Sequence, residues 1–304
     1  MTKSMSLLGI ENRIGVQGMG WVLALSTTVA SSIVTPLARS AILYGVNPTA
    51  MLFSRLLLTT VLLVATFAIV DRQRLWTDRR GMWRMAGIGF ISGVEICCFF
   101  WSLAFVDASM AAMIKSLQPL AVLLLLRLGG ESITRRHVAR LLLAFAGLYL
   151  LIGPGGEVAP IGVWLLFASI VLYALQLVFT QWYLADYDTR TITIYLLTLM
   201  TVVVAGLWWF EGAIWRDPGG YGWLVIVIMA VVSTYFARLA LYAAVPRIGS
   251  GQIALLWPVQ MLLGVIFSVW LLQERLSPMQ WLGGGLILVS AFLAARRIEK
   301  MAQR

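Results

Sequence analysis

The chain contains 304 residues, of which 61% are hydrophobic and 12% are charged, and its mean hydropathy is +0.89. A soluble domain needs more polar residues than this to cover its surface, so the composition excludes an ordinary soluble protein. The net charge of +10 would suggest nucleic acid in a soluble protein, but in a membrane protein basic residues report topology first. We therefore expect the lipid bilayer, and no nucleic acid, as a partner.

Ten apolar segments of about 20 residues, the length that crosses a bilayer as a helix, alternate with short polar stretches. They predict an all-α integral membrane protein with ten transmembrane helices and no soluble domain. The first segment lacks a small-residue cleavage site, so we expect a retained span and not a signal peptide. The predicted helices lie near residues 19–42, 49–70, 82–105, 108–128, 138–153, 161–184, 191–210, 221–244, 249–272 and 279–295.

Basic residues are concentrated in the loops on one side of the predicted membrane. With the N-terminus inside, 17 of the 23 Lys and Arg residues fall on the inner side, and only Arg216 and Arg275 fall outside. The positive-inside rule then predicts that both termini are cytoplasmic, in a plasma membrane, the inner membrane of a bacterium. The other four basic residues lie within spans, and they are Arg39, Arg55, Lys115 and Arg238.

An internal repeat relates the two halves of the sequence. Residues 95–119 align without a gap on residues 234–258, and Pro119 and Pro258 are among the shared residues. Each proline falls near the start of the fourth predicted helix of its half, where it breaks the helical hydrogen-bond ladder. We therefore expect a helix break at the same place in both halves.

The repeat continues beyond these prolines, because Glu131 precedes the fifth predicted helix as Glu274 precedes the tenth. Five helices per copy is an odd number, so the second copy must enter the membrane from the opposite side. The sequence thus predicts two inverted-topology repeats of five helices, residues 18–153 and residues 160–295.

These features together resemble the EamA branch of the drug/metabolite transporter superfamily, over essentially the whole chain. Within that branch, "EIC" at 95–97 followed by "MIKSLQP" at 113–119 resembles the bacterial aromatic amino-acid exporters. The chain departs from those exporters at Gln118, where an aromatic residue is expected before the proline. The broad resemblance implies ten helices around a central pocket, alternating access, and movement of small metabolites, usually outward.

Charged residues within the spans are the first candidates for that pocket, because each needs a partner or a water-filled cavity. Glu95 and Lys115 fall at depths that differ by only about 5 Å at 1.5 Å per residue. They can form an ion pair that joins two helices, or Glu95 can take a substrate ammonium while Lys115 or an arginine takes its carboxylate. Both can hold in different conformations. Pro119 frees the carbonyl of Lys115, which adds a polar group at the same depth.

Aromatic and amide side chains supply further candidates. Trp257 lies deep in the ninth helix beside Pro258, and the carbonyl that this proline frees is that of Ala254. Tyr235, Arg238 and Tyr242 share a face at 3.6 residues per turn, as do Tyr173, Gln176 and Thr180, although ordinary interhelical hydrogen bonds also explain both stripes. The expected substrate-binding residues are Glu95, Trp101, Lys115, Gln118, Tyr173, Gln176, Tyr235, Arg238 and Trp257, with helix breaks at Pro119 and Pro258.

The sequence contains no nucleotide-binding loop, metal-ligand cluster or nucleophile–base pair, and His137 is its only histidine. We expect no enzyme activity and no cofactor. Cys97 and Cys98 are read as packing residues, as are Gly89 and Gly93. The predicted function is a secondary transporter that exports small amphipathic metabolites, aromatic amino acids first, by alternating access.

Three alternatives stay open: anionic or phosphorylated metabolites as substrates, drug-like amphiphiles as substrates, and a channel or structural membrane subunit. Two fused halves make a monomer self-sufficient.

Overall fold

The structure is a computed structural model that describes residues 2–128, 135–152, 159–213, 215, 217–249, 252–253 and 256–302. Side chains are described within these ranges except at 2–14, 127–128, 135–141, 152 and 294–302. All regular secondary structure in the described ranges is helical. Of the residues named above, Glu131 and Ala254 lie outside the described residues, and the side chain of His137 is not among those described.

Ten helical spans follow one another through the described residues, and they correspond in order to the ten predicted helices. They are α1 Gly15–Leu43, α2 Pro48–Val70, α3 Arg79–Ser102, α4 Ala108–Leu126, α5 Arg135–Ile152, α6 Pro160–Tyr183, α7 Thr189–Phe210, α8 Gly219–Ile248, α9 Leu256–Leu272 and α10 Pro278–Ala302. Seven are long and apolar enough to cross a membrane. The other three, α5, α9 and α10, contain shorter apolar helices. The predicted all-α membrane fold is confirmed.

Polar side chains fix where several spans begin. The Asn47 side chain accepts hydrogen bonds from the amides of Thr49 and Ala50, at 2.9 and 3.0 Å, and Pro48 occupies the first turn of α2. Asp78 accepts from the amide of Gly81 in the same way at the start of α3. These side chains bind first-turn backbone amides that have no partner within the helix. They therefore fix the start of each helix at the boundary between the polar loop and the apolar segment.

The bundle is covered by large apolar side chains rather than by charges. The exposed fraction is 88% for Phe210, 86% for Ile69 and 72% for Trp164. So many large apolar groups cannot face water at once, and hydrocarbon is the surrounding that suits them. The protein is therefore an integral membrane protein.

Most contacts between helices have an equivalent in the bundle, in which each helix is replaced by its counterpart from the other half of the chain. α3 packs against α6, and its counterpart α8 packs against α1; α4 packs against α6, and its counterpart α9 packs against α1. Three helices contact their own counterparts, namely α2 with α7, α4 with α9, and α5 with α10. The odd number of helices per half then gives the second half the opposite topology. The fold consists of two interleaved inverted repeats.

Glycines permit the closest of these contacts. A Cβ atom at Gly147 of α5 would lie 2.6 Å from the carbonyl oxygen of Gly283 of α10, and a Cβ at Gly283 would lie 2.5 Å from that of Gly147. A Cβ at Gly89 or Gly93 would likewise meet side chains of α7 within 2.7 Å. The predicted packing role of Gly89 and Gly93 is confirmed, because only a missing side chain allows these approaches.

The loops gather at two ends of the bundle, which we name after Tyr44 and Arg74. At the Tyr44 end, both Glu274 carboxylate oxygens accept from the amides of Ala108 and Ser109, at 2.8 and 2.9 Å. Glu274 belongs to the second half and α4 to the first. This carboxylate therefore ties the two halves together at the start of α4.

At the Arg74 end, the Arg74 guanidinium forms ion pairs with Asp71, at 2.8 Å, and with Asp188. Hydrogen bonds to Asp71 and Asp188 raise the pKa of Arg74, and a hydrogen bond from Tyr187 lowers the pKa of Asp78. A cleft of about 340 Å³ lies among these groups. The one cation among its described lining residues, Arg74, is already paired with Asp71 and Asp188, so we do not take it as the substrate site.

Candidate substrate-binding site

The helical ladder of α4 is broken near the middle of this span. Its first segment ends at Lys115 and its second begins at Gln118. Between them, the amide of Leu117 donates to Ile114 and the amide of Leu120 donates to Leu117, which is the tighter three-residue spacing. Pro119 has no N–H to offer the carbonyl of Lys115. The interruption of the ladder lies immediately before Pro119, and it leaves polar backbone at the depth of Lys115.

Glu95 and Lys115 form a buried ion pair across α3 and α4. Lys115 Nζ lies 2.8 Å from Glu95 Oε1, and the two side chains are only 11% and 5% exposed. The Ser169 hydroxyl of α6 donates to the same oxygen at 2.8 Å, and Lys115 Nζ lies 3.7 Å from the centre of the Phe99 ring. The predicted proximity of Glu95 and Lys115 is confirmed. Three helices meet at this carboxylate.

Aromatic rings adjoin this ion pair through α6. Tyr173 follows Ser169 by one turn, and its ring centre lies 5.2 Å from that of Trp257 of α9. Within the described residues, the Trp257 indole N–H has no hydrogen-bond partner, and neither does the side-chain amide of Gln118, which is 1% exposed. Unpaired polar atoms at such depth are unfavourable unless something else binds them. The site combines a carboxylate, an ammonium, two rings and unsatisfied donors.

A second buried cation lies on α2. Arg55 Nε and Nη2 both donate to the Thr234 hydroxyl of α8, at 3.2 and 2.9 Å, and the guanidinium lies 5.5 Å from the centre of the Phe100 ring. Phe100 adjoins Phe99, with ring centres 5.8 Å apart. Arg55 and Lys115 therefore lie over neighbouring rings of α3.

The comparison with known sequence families decides what this arrangement belongs to. The profile of the EamA-like transporter family matches residues 18–153 and again residues 160–296. The chain belongs to the EamA-like transporter family. A solved crystal structure with 20% sequence identity is similar in fold, with a TM-score of 0.63 over 94% of this chain and 99% of that chain. A search of curated proteins found no match.

Membership of this family makes the protein a transporter of the drug/metabolite type. Each half of the EamA-like chain matches the family separately, which agrees with the exchange of contacts between the halves. We therefore expect the pocket between the two repeats, where Glu95, Lys115 and Trp257 lie.

The remaining predicted site residues, Arg238, Tyr235 and Gln176, differ in burial and in their partners. Arg238 is exposed, and it lies within electrostatic range of Tyr173 and Arg55. The Tyr235 hydroxyl shares a hydrogen bond of 2.7 Å with Thr66 of α2. Gln176 is half-buried on α6, one turn beyond Tyr173.

Trp101 lies near the Tyr44 end of the bundle, away from the break in α4. Its indole N–H donates to the Thr49 hydroxyl at 2.8 Å, and that hydroxyl donates to Glu211 at 3.0 Å. The network joins the ends of α2, α3 and α7. Trp101 is therefore occupied by contacts within the protein.

Sequence reasoning did not include Ser169, Phe99, Arg55 or Thr234 among the site residues. The position of Arg55 gave a signal, because a charge about 10 Å into a membrane helix needs a partner or a water-filled cavity. Ser169 and Thr234 gave none, since small hydroxyl residues are common in membrane helices and usually bond their own backbone.

Proposed function

We propose that this EamA-like protein exports small amphipathic amino acids, aromatic or large apolar ones first, by alternating access around one central pocket. The observation that carries the proposal is the buried Glu95–Lys115 pair beside the Tyr173 and Trp257 rings, at the break in α4. Midplane sites formed where helices break are where carriers built from inverted repeats bind their substrates.

The ion pair can exchange partners with a zwitterion. A substrate ammonium would replace Lys115 at Glu95, whose carboxylate also accepts a hydrogen bond from Ser169. The freed lysine or an arginine would then take the substrate carboxylate. Buried charges stay paired before and after this exchange, so no uncompensated charge is left in the membrane. The rings of Tyr173 and Trp257 would pack against the apolar side chain.

A second candidate is a carrier of anionic or phosphorylated metabolites. Glu95 is already neutralised by Lys115, whereas Arg55 and Arg238 form no ion pair within the described residues. This excess of positive charge favours a substrate with net negative charge.

The experiment is uptake by the purified protein in liposomes. We expect saturable uptake of phenylalanine or tryptophan, with mutual competition. Trp257→Ala removes one ring of the pair and should raise the half-saturation concentration about tenfold, equivalent to about 1.4 kcal/mol. Trp164→Ala is the matched control, because Trp164 is 72% exposed on α6, and it should leave uptake unchanged. Lys115→Ala should also raise the half-saturation concentration.

Other outcomes of the uptake experiment would refute the amino-acid proposal. Uptake of a phosphorylated or purely cationic solute that no neutral amino acid inhibits would refute the amino-acid proposal, and an anionic solute would support the second candidate. Linear uptake without saturation would indicate a channel and refute both.

We propose in addition that the protein works in a plasma membrane, the bacterial inner membrane, with both termini in the cytoplasm. The support is the concentration of basic residues on one side of the spans. A single chain supplies both repeats, so we propose a monomer as the working unit.

A further inference from the structure

Arg55 is a buried guanidinium with no counter-ion among the residues that the structure describes. Its exposed fraction is 8%, and it lies seven positions after Pro48, the start of α2. A guanidinium carries five N–H donors. Two nitrogens donate to one neutral oxygen, that of Thr234, while Nη1 is buried without a partner among the described residues.

Arg39 shows what a satisfied arginine of this bundle looks like. It donates to the Leu103 carbonyl and forms an ion pair of 3.5 Å with Asp107 near the Tyr44 end. Arg55 has neither a carbonyl nor a carboxylate within the described part of the chain. A buried charge without such partners is strongly unfavourable, and an apolar residue in its place would make the empty protein more stable. Stability therefore does not explain why an arginine stands here.

The backbone of α8 is shaped to hold this guanidinium from one side. Thr234 lies in a π-helix, Ile228–Phe236, and its hydroxyl donates to the Met229 carbonyl five residues earlier at 2.9 Å. Because the hydroxyl hydrogen is used in that bond, its oxygen is free to accept both Arg55 donors. π-Helices are rare and often occur at functional sites. The geometry orients Arg55 and leaves Nη1 for a further acceptor.

The groups around Arg55 favour an acceptor with negative charge. Arg238 lies within electrostatic range of Arg55, and no carboxylate of the described residues pairs with either arginine. Two like charges so placed attract an anion and repel a cation. The planar fork of a guanidinium matches the two oxygens of a carboxylate.

We propose that Arg55 binds the carboxylate of a small organic substrate, with Thr234 as the residue that positions its guanidinium. The inference rests on the proposed function in taking the ligand to be the transported molecule. It deepens that function by assigning the substrate carboxylate to Arg55, the arginine alternative given above, rather than to Lys115.

The test is direct binding to the purified full-length protein in detergent, followed by calorimetry. The probes are 3-phenylpropionate, which has a carboxylate and no ammonium, and phenethylamine, which has the reverse. We expect Arg55→Met to weaken 3-phenylpropionate binding at least tenfold and to leave phenethylamine binding unchanged. Arg55→Lys keeps the charge without the fork and should fall between Arg55→Met and the native protein.

Two controls separate binding from folding. Arg39→Met removes an arginine whose donors are already used, so it should leave 3-phenylpropionate affinity unchanged. Arg55→Met removes an uncompensated charge, so the empty variant should melt at the same temperature as the native protein or higher. The assignment would be overturned if a folded Arg55→Met variant bound 3-phenylpropionate with native affinity. It would also be overturned if the native protein bound inorganic phosphate instead of 3-phenylpropionate.

The two proposals fail in different ways. Saturable phenylalanine uptake with an unchanged half-saturation concentration in Arg55→Met would refute the role of Arg55 and leave the exporter standing. No uptake of any amino acid, together with Arg55-dependent binding of 3-phenylpropionate, would refute the exporter and support the anion site.

Discussion

Removing both partners of the Glu95–Lys115 pair should destabilise the protein by less than the sum of the two single removals. The distance of 2.8 Å gives an attraction of about 6 kcal/mol at an effective dielectric constant of about 20. Burial of two ions offsets much of this attraction, and breaking a buried pair typically costs about 3 to 5 kcal/mol. We expect losses in that range for Glu95→Gln and for Lys115→Met.

The two single losses should differ in size. Lys115→Met leaves the Glu95 carboxylate with the Ser169 hydroxyl alone, whereas Glu95→Gln leaves the Lys115 ammonium over the Phe99 ring. A ring attracts a desolvated cation by about 2 kcal/mol, so Glu95→Gln should be the milder change. The double variant removes both charges, and its loss should be smaller than the sum of the single losses by about 2 to 3 kcal/mol.

The assay is reversible unfolding in mixed micelles, followed by tryptophan fluorescence, for the native protein and the three variants. The same cycle with Asp71→Asn and Arg74→Met is the control, since these side chains are 33% and 31% exposed and should couple by about 1 kcal/mol or less. Additive losses at Glu95 and Lys115 would refute the claim that this pair is held together in the membrane.

Two further predictions concern topology and packing. Cysteine at Glu211 should react with an impermeant reagent added to intact cells, whereas cysteine at Arg79 should be protected, and the reverse pattern would contradict the charge distribution. Gly283→Leu should destabilise the protein by more than about 3 kcal/mol in the same unfolding assay, because its side chain has no space against α5. Gly285→Leu on the same helix faces open space and should change stability by less than about 0.5 kcal/mol.

Depth counting along the sequence was enough to bring Glu95 and Lys115 together. A helix rises by a fixed amount per residue, and the membrane sets a common origin for every span, so the depths of two charges follow from their positions. A deep acid and a deep base at similar depth on consecutive helices have few other partners. The strong preference for paired charges in a membrane then makes the contact predictable.

The surroundings of Tyr235 and Arg238 could not be predicted by the same route. The helical stripe assumed 3.6 residues per turn, but Tyr235 lies in the π-helix, where the angular spacing of side chains differs. Tyr242 is buried while Arg238 is exposed, so burial does not follow the stripe. Nothing in "IMAVVSTYF" distinguishes a π-helix from an α-helix, because both expose the same apolar side chains to lipid. Trp101 shows the same limit, since its bond to Thr49 depends on how three helix ends meet.

The crossing of Gly147 and Gly283 restricts how the two halves of this chain can change. Each glycine leaves the space that the backbone of the other one needs, so a side chain at either position displaces both helices. A second substitution in the opposite half cannot relieve the first, because neither position has a side chain to shorten. Elsewhere the two halves differ in charge, since Glu95 of the first half aligns with Thr234 of the second. At this crossing neither half has such freedom, because a side chain at Gly147 or Gly283 would displace the partner helix.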